Sequence, residues 1–239
     1  MKGSVRTGWL AIKLRNLGRQ VKVNRLISSF GSSRVYEKRF QAVLLKGLHS
    51  GDVVWDVGAN VGFYSRLCAA QIGSSGLCYA FEPSPLNRAR FREQGVAGNV
   101  ILLPFALGET AGTISLIQGS DPLGATSFIP ENQAGAGEEG IQVEVMPGDL
   151  LVASGQVPTL QCIKIDVEGY EWEVLQGLRK TLANERLFRV CCEVHFAILA
   201  ARGHAQRPRE IELLLKGYGY CCRWIDHSHL LAERARCDH

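Results

Sequence analysis

Three observations predict that this 239-residue chain folds as an α/β domain, doubly wound around a mostly parallel sheet. Short apolar, β-branched runs alternate with stretches whose apolar residues recur at helical spacing, which leaves room for a helix between parallel strands. The first apolar run passes into a glycine-containing loop, "DVGANVG", where the helical pattern begins. At four of the five predicted strand ends stands an acid: Asp56, Glu82, Asp166 and Glu193, the last accompanied by His195. Ligands of such sheets bind outside the carboxyl ends of the strands, so these acids mark a candidate binding rim.

The elements follow in order. Residues 1 to 50 read as a basic helical lead-in, closing with "YEKRFQAVLLKGL" and the stop signals Gly47 and Gly51. Residues 51 to 239 read as the main domain. "DVVWDVG" is a buried strand, "FYSRLCAAQIG" a helix stopping at Gly73, and "LCYAFEPS" the next strand. "PLNRARFREQG" is a helix with Pro85 in its first turn, and "VILLPFALG" a third strand. Between 112 and 147 the pattern changes to "TISLI", "ATSFIP" and "IQVEVM", separated by Gly-rich stretches, which predicts a β-rich insertion. "LQCIKIDVEG" returns to the core sheet. "YEWEVLQGLRKTLA" is a helix, "FRVCCEVHF" a strand and "PREIELLLKGYG" a helix; "YCCRWID" and "HLLAERA" close the chain as strands.

Charge is unevenly spread. Residues 1 to 40 hold ten Lys or Arg against Glu37 alone, while the remainder carries 17 basic and 22 acidic residues. No aromatics interleave with the basic residues as in a single-strand binding groove, so the lead-in reads as a solvated face, with no nucleic-acid partner expected. No apolar run reaches the ~18 to 20 residues of a membrane helix, and "WLAI" is too short for a signal peptide. Eight cysteines form no CxxC pair, and most read as small buried hydrophobes of a reducing, cytoplasmic compartment.

A nicotinamide site would want G-x-G-x-x-G, so that backbone amides meet a pyrophosphate. Here the loop is D-x-G-x-N-x-G. A carboxylate at Asp56 would repel a pyrophosphate and suit a cation, which points to the sulfonium and ammonium of S-adenosylmethionine. Gly58 would let the backbone approach the ligand, Asn60 would supply an amide and Gly62 would ease the helix start. Glu82, 26 residues after Asp56, would accept both ribose hydroxyls.

In this order, "DVGANVGFYS", "AFEPSP", "NVILLPFALGE", "IKIDVEGYEWEVLQGL" and "CCEVH" resemble the FkbM-type methyltransferases, from about Tyr36 to about Tyr220. The resemblance implies a Rossmann-like class I methyltransferase fold and, for most members, an oxygen acceptor on a sugar or natural product. It implies that Asp56, Gly58, Asn60 and Glu82 face the cofactor and that Ala106 lies near the adenine. The chain departs from the family at "MPGDLL", where Pro147 and Gly148 precede Asp149 in place of the usual Thr-Leu-Asp.

Methyl transfer to a hydroxyl needs positioning and a base. Asp166, Glu168, Glu193 and His195 are the candidates, with His195 or Asp166 as base and the glutamates orienting it or the acceptor. Glu193 and His195 are two apart, so they would share one side of their strand. Lys164 could orient the carboxylates or sit on the opposite face. The acids could also hold a divalent cation, but no metal requirement is expected. The expected acceptor is a small molecule or glycan, with residues 119 to 140 as a mobile loop that closes over it. Two alternatives are an RNA methyltransferase using the basic N-terminus and a methyltransferase-like module that only binds a partner.

Overall fold

The computed structural model describes residues 38–118, 126–128 and 140–235. The chain divides into two compact units, residues 1–42 and 43–239. The described part of the first, residues 38–42, is helical. Residues 1–37 of the basic lead-in and nearly all of the expected 119 to 140 loop lie outside the described residues.

The second unit is built on a seven-stranded sheet. Its first half runs β1 (Val53–Val57), α1 (Phe63–Ile72), β2 (Leu77–Phe81), α2 (Pro85–Glu93) and β3 (Val100–Leu103). Three strands, β4 (Ala106–Leu107), β5 (Gly112–Gln118) and β7 (Ile141–Met146), join β6 (Thr126–Phe128) in a separate four-stranded sheet. The chain then returns through α3 (Gly148–Ala153) to β8 (Cys162–Ile165), α4 (Glu171–Gln176), α5 (Arg179–Ala183) and β9 (Arg189–Glu193). It ends with α6 (Phe196–Ala201), α7 (Arg207–Gly217), β10 (Cys221–Trp224) and β11 (His229–Glu233).

The strand order is β3-β2-β1-β8-β9-β11-β10, with every pair parallel except the two that β11 makes. From β1 the chain winds outward through β2 and β3, then crosses back to set β8 on the other flank of β1. That reversal opens a crevice at the carboxyl ends of β1 and β8. Both strands are buried on both faces, which explains why they read as near-continuous apolar runs. Trp55 and Phe81, at a centroid distance of 5.1 Å, anchor the core beneath the crevice.

Two predicted elements are divided. "VILLPFALG" leaves the main sheet after Leu103, because Pro104 has no amide to continue the ladder; Ala106 and Leu107 pair instead with Val145 and Met146. "YEWEVLQGLRKTLA" forms two helices, because the Gly177 carbonyl accepts from the Asp149 amide instead of a helical partner. The Asp149 carboxylate then accepts from the amides of Lys180 and Thr181 at 2.7 and 2.8 Å, capping α5. Gly148, which with Pro147 departs from the family pattern, lies under Leu178 and Trp55 with no space for a side chain.

Of the seven described cysteines, Cys68, Cys78, Cys162, Cys191 and Cys192 are buried free thiols, Cys222 is half-buried and Cys221 is exposed. Among the described residues no helix is long and apolar enough to cross a membrane.

Candidate active site

The loop after β1 is strapped down on both sides. The amides of Gly58 and Ala59 donate to the Phe81 carbonyl, and the Asp166 amide donates to the Val57 carbonyl. Gly58 has φ +77° and Asn60 φ +50°, the left-handed turn that sends the chain into α1. Beside this loop lies a cleft walled by Gly58, Asn60, Glu82, Phe105, Ala106, Asp166 and Glu168 among others. Four of the five residues expected to meet a cofactor line it.

Asp56 is the exception and is not among the lining residues. Its side chain is fully buried and turned away from the cleft wall: Ser65 Oγ donates to Oδ2 at 2.6 Å, and Lys164 Nζ lies 3.0 Å from Oδ1. The charge read as a match for a ligand cation is matched inside the protein. Lys164, itself buried, also donates to the Gly58 carbonyl at 3.0 Å and lies 3.5 Å from Asp166 Oδ2. Burial alone would lower its pKa, but the charges of Asp56 and Asp166 outweigh burial and hold the ammonium charged. Lys164 therefore ties β1, its loop and β8 together.

Glu82 is buried at the cleft. Its Oε2 accepts from the Asn60 amide at 2.7 Å; its Oε1 accepts from the Ser84 amide at 2.8 Å and from Asn87 Nδ2 at 3.3 Å. Burial raises its pKa, and those donors partly offset the rise. Two amides fix the carboxylate, which leaves lone pairs for a ligand hydroxyl. Phe81, Phe105, Ala106 and Leu107 give the cleft an apolar wall suited to a flat ring.

At the end of β8 the acids converge on one imidazole. His195, at the N-cap of α6, has its Nδ1 2.6 Å from Glu171 Oε1; its Nε2 lies 3.3 Å from Glu168 Oε2 and 3.8 Å from Asp166 Oδ1. Burial would lower the His195 pKa, but the Glu171 hydrogen bond and the Glu168 and Asp166 charges push it up to about 10. Burial pushes Glu168 up to about 7, against the opposing pull of His195. Asp166 is likewise raised, mainly by burial, although Lys164 works to lower it. Ligand atoms of Asp166, Glu168 and His195 lie within 4.8 Å of one another, close enough to share a cation. A metal there would have to displace the proton that the carboxylates hold on His195.

The expected Glu193–His195 pair is divided between two clusters. β9 ends at Glu193, so the two-residue alternation no longer governs His195. Glu193 sits opposite His229 in the β9–β11 register, with Oε2 3.4 Å from His229 Nε2. His229 Nδ1 in turn lies 2.9 Å from Asp226, whose Oδ1 also accepts from the amides of Ser228 and His229. Burial works to raise the Glu193 pKa, but His229 and His195 outweigh it and hold Glu193 below the usual range. Glu171, His229 and Asp226 were not among the sequence candidates. Glu171 carried a signal, as an acid five residues past Asp166 at the start of a helix.

Residues 56–222 match the family model described as the methyltransferase FkbM domain. The chain is 32% identical over 158 residues to the hexuronic acid methyltransferase AglP of Haloferax volcanii, covering 65% of this chain and 61% of that protein. It is 28% identical over 203 residues to the 31-O-demethyl-FK506 methyltransferase FkbM of Streptomyces tacrolimicus, covering 72% of this chain and 74% of that protein. The crystal structure of methyltransferase FkbM from Methylobacillus flagellatus superposes with a TM-score of 0.52 at 14% identity, over 78% of this chain and 44% of that one. The fold is the Rossmann-like class I methyltransferase fold.

Proposed function

The chain belongs to the FkbM methyltransferase family, and we propose that it transfers the methyl group of S-adenosylmethionine to an oxygen of a small-molecule or glycan acceptor. One observation carries the reading: Asp166 and Glu168 belong both to the wall of the cleft and to the cluster around His195. A ligand in the cleft therefore has proton-handling groups at its edge. The names of two relatives, one a hexuronic acid methyltransferase and one acting on a 31-O-demethyl compound, support an oxygen acceptor, sugar-like or otherwise.

The cleft fits S-adenosylmethionine on this chain's own chemistry. Glu82, held by two amides, would accept from the ribose hydroxyls; Gly58 would let the backbone approach; Asn60 would bound the amino-acid end; Ala106 would lie against the adenine. Bound there, the cofactor supplies an electrophilic methyl group and a neutral thioether leaving group. Asp56 serves from behind, holding Lys164 and through it the loop.

At neutral pH His195 already carries its proton and cannot accept another. Base work therefore falls to Asp166 or Glu168, and His195 positions and partly neutralises them. One of these carboxylates, at the cleft edge beside His195, would take the proton that the acceptor hydroxyl loses. Glu193, ionised and held by His229, orients the acceptor from the next strand. No metal enters this scheme.

Calorimetry tests the cofactor half. The expected affinity for S-adenosylmethionine is micromolar, about −8 kcal/mol. Glu82→Ala should weaken it by ~1 to 3 kcal/mol, and tighter binding of a nicotinamide dinucleotide would overturn the assignment. A panel of sugars, uronates and polyols, read by mass for the gain of one methyl group, tests the acceptor half. Activity that is abolished by EDTA and restored by magnesium or manganese would replace the base with a cation.

A further inference from the structure

A second concavity lies beside the His195 cluster. Because α7 connects the carboxyl end of β9 to the start of β10, its first turn stands at the same rim as His195. There an open groove is lined by Phe196, Pro208, Arg209, Glu212, Trp224 and Asp226, among others. Groove and cluster share parts of the chain. Phe196 directly follows His195, and Asp226 holds the His229 that holds Glu193.

Two features give the groove a chemistry. The first is aromatic. Phe196 is 43% exposed, and its ring stands 5.4 Å from that of Trp224 at an angle of 52°. Trp224 is fixed by its Nε1 donating to Glu212 at 3.1 Å. An aromatic pair left open to water gains by being covered. The C–H face of a pyranose ring packs well on such a surface while its hydroxyls keep their hydrogen bonds.

The second feature is charge. The groove's two carboxylates are committed: Glu212 to Lys216 at 2.5 Å and to Trp224, and Asp226 to His229 and two backbone amides. The amide of exposed Arg209 bonds the Gln206 carbonyl, but its side chain makes no hydrogen bond or ion pair among the described residues. Its guanidinium is the uncommitted charge of the groove, and its planar fork matches a carboxylate in two-point contact.

We propose that this groove is the acceptor subsite and that it selects a sugar ring bearing a carboxylate. The ring covers Phe196 and Trp224, the carboxylate meets Arg209, and an oxygen of the sugar reaches the Asp166–Glu168 edge. The proposal deepens the function proposed above and rests on it for the reaction, but it is tested by binding alone. Methyl β-D-glucuronide and methyl β-D-glucoside serve as probes, titrated by NMR into the full chain with the demethylated cofactor present. The glucuronide is expected to bind at least ten-fold more tightly than the glucoside. Arg209→Ala should remove that preference and leave glucoside binding unchanged, Phe196→Ala should weaken both sugars, and each variant should keep the wild-type melting temperature. Equal binding of the two sugars, no glucuronide binding, or an Arg209→Ala variant that still prefers the glucuronide would overturn the proposal. Glucuronide binding with no methyl transfer to any acceptor would keep the groove and remove the methyltransferase assignment.

Discussion

The backbone of Gly58 lies against the carbonyl oxygen of Asp166 so closely that a Cβ would overlap it. The contact joins the loop that bounds the cofactor cleft to the strand end that carries the candidate base. Gly58 also has φ +77°, a conformation that costs an L-residue about 1 to 2 kcal/mol. Gly58→Ala should therefore cost more than strain alone. Gly95 is the control, because it has φ +86° but nothing near its missing side chain. Gly95→Ala should lower Tm by only the strain, roughly 2 to 8 °C for a domain of this size. Gly58→Ala should lower it further and weaken S-adenosylmethionine binding with it. Equal Tm losses with intact cofactor affinity would mean that the close approach does no work.

Lys164 and Asp56 give a second test. Both are buried, so Lys164→Met strands a carboxylate without its cation, a loss of ~3 to 5 kcal/mol. Adding Asp56→Asn removes the stranded charge. The double variant should be less destabilised than the sum of the single variants, by at least ~1 kcal/mol in urea unfolding. Additive losses would contradict a coupled pair.

These residues mark how far the sequence could be read. Asp166 and Glu168 were visible because β8 is a near-continuous apolar run, and an acid closing such a run stands out. The Rossmann-like winding was visible for the same reason. Asp56 is visible as a position, but its ion pair is not, because its partner Lys164 lies 108 residues away and meets it only through the β1–β8 pairing. His229 carries no local signal in the sequence. Its contact with Glu193 depends on an antiparallel register that no local pattern reports. The helix division at Gly177 depended likewise on a distant group, the Asp149 amide. Periodicity thus located the strands and their acidic ends, while the charge partners were set by which strands became neighbours.

The final prediction concerns pH. Glu168, pushed up to about 7, is protonated below that value and then cannot take a proton from the acceptor. His195, pushed up to about 10, loses its positive charge above that value and no longer holds the carboxylates. A plot of kcat/KM against pH, which reports the free enzyme, should rise through about 7 and fall near about 10. Stability linked to His195 runs the same way on its alkaline side: its folded pKa is raised, so its contribution is complete below the ordinary 6.5 and is lost as pH rises through about 10. Variants separate the roles. Asp166→Asn or Glu168→Gln, whichever removes the base, should lower turnover by ~10²- to 10⁴-fold with cofactor affinity kept within a few-fold. His195→Asn should abolish the alkaline fall and move the rising limb upward, because the carboxylates lose the cation that favours their charged form. If His195→Asn instead abolishes the rising limb, the imidazole is the base, and the carboxylates serve only to position it.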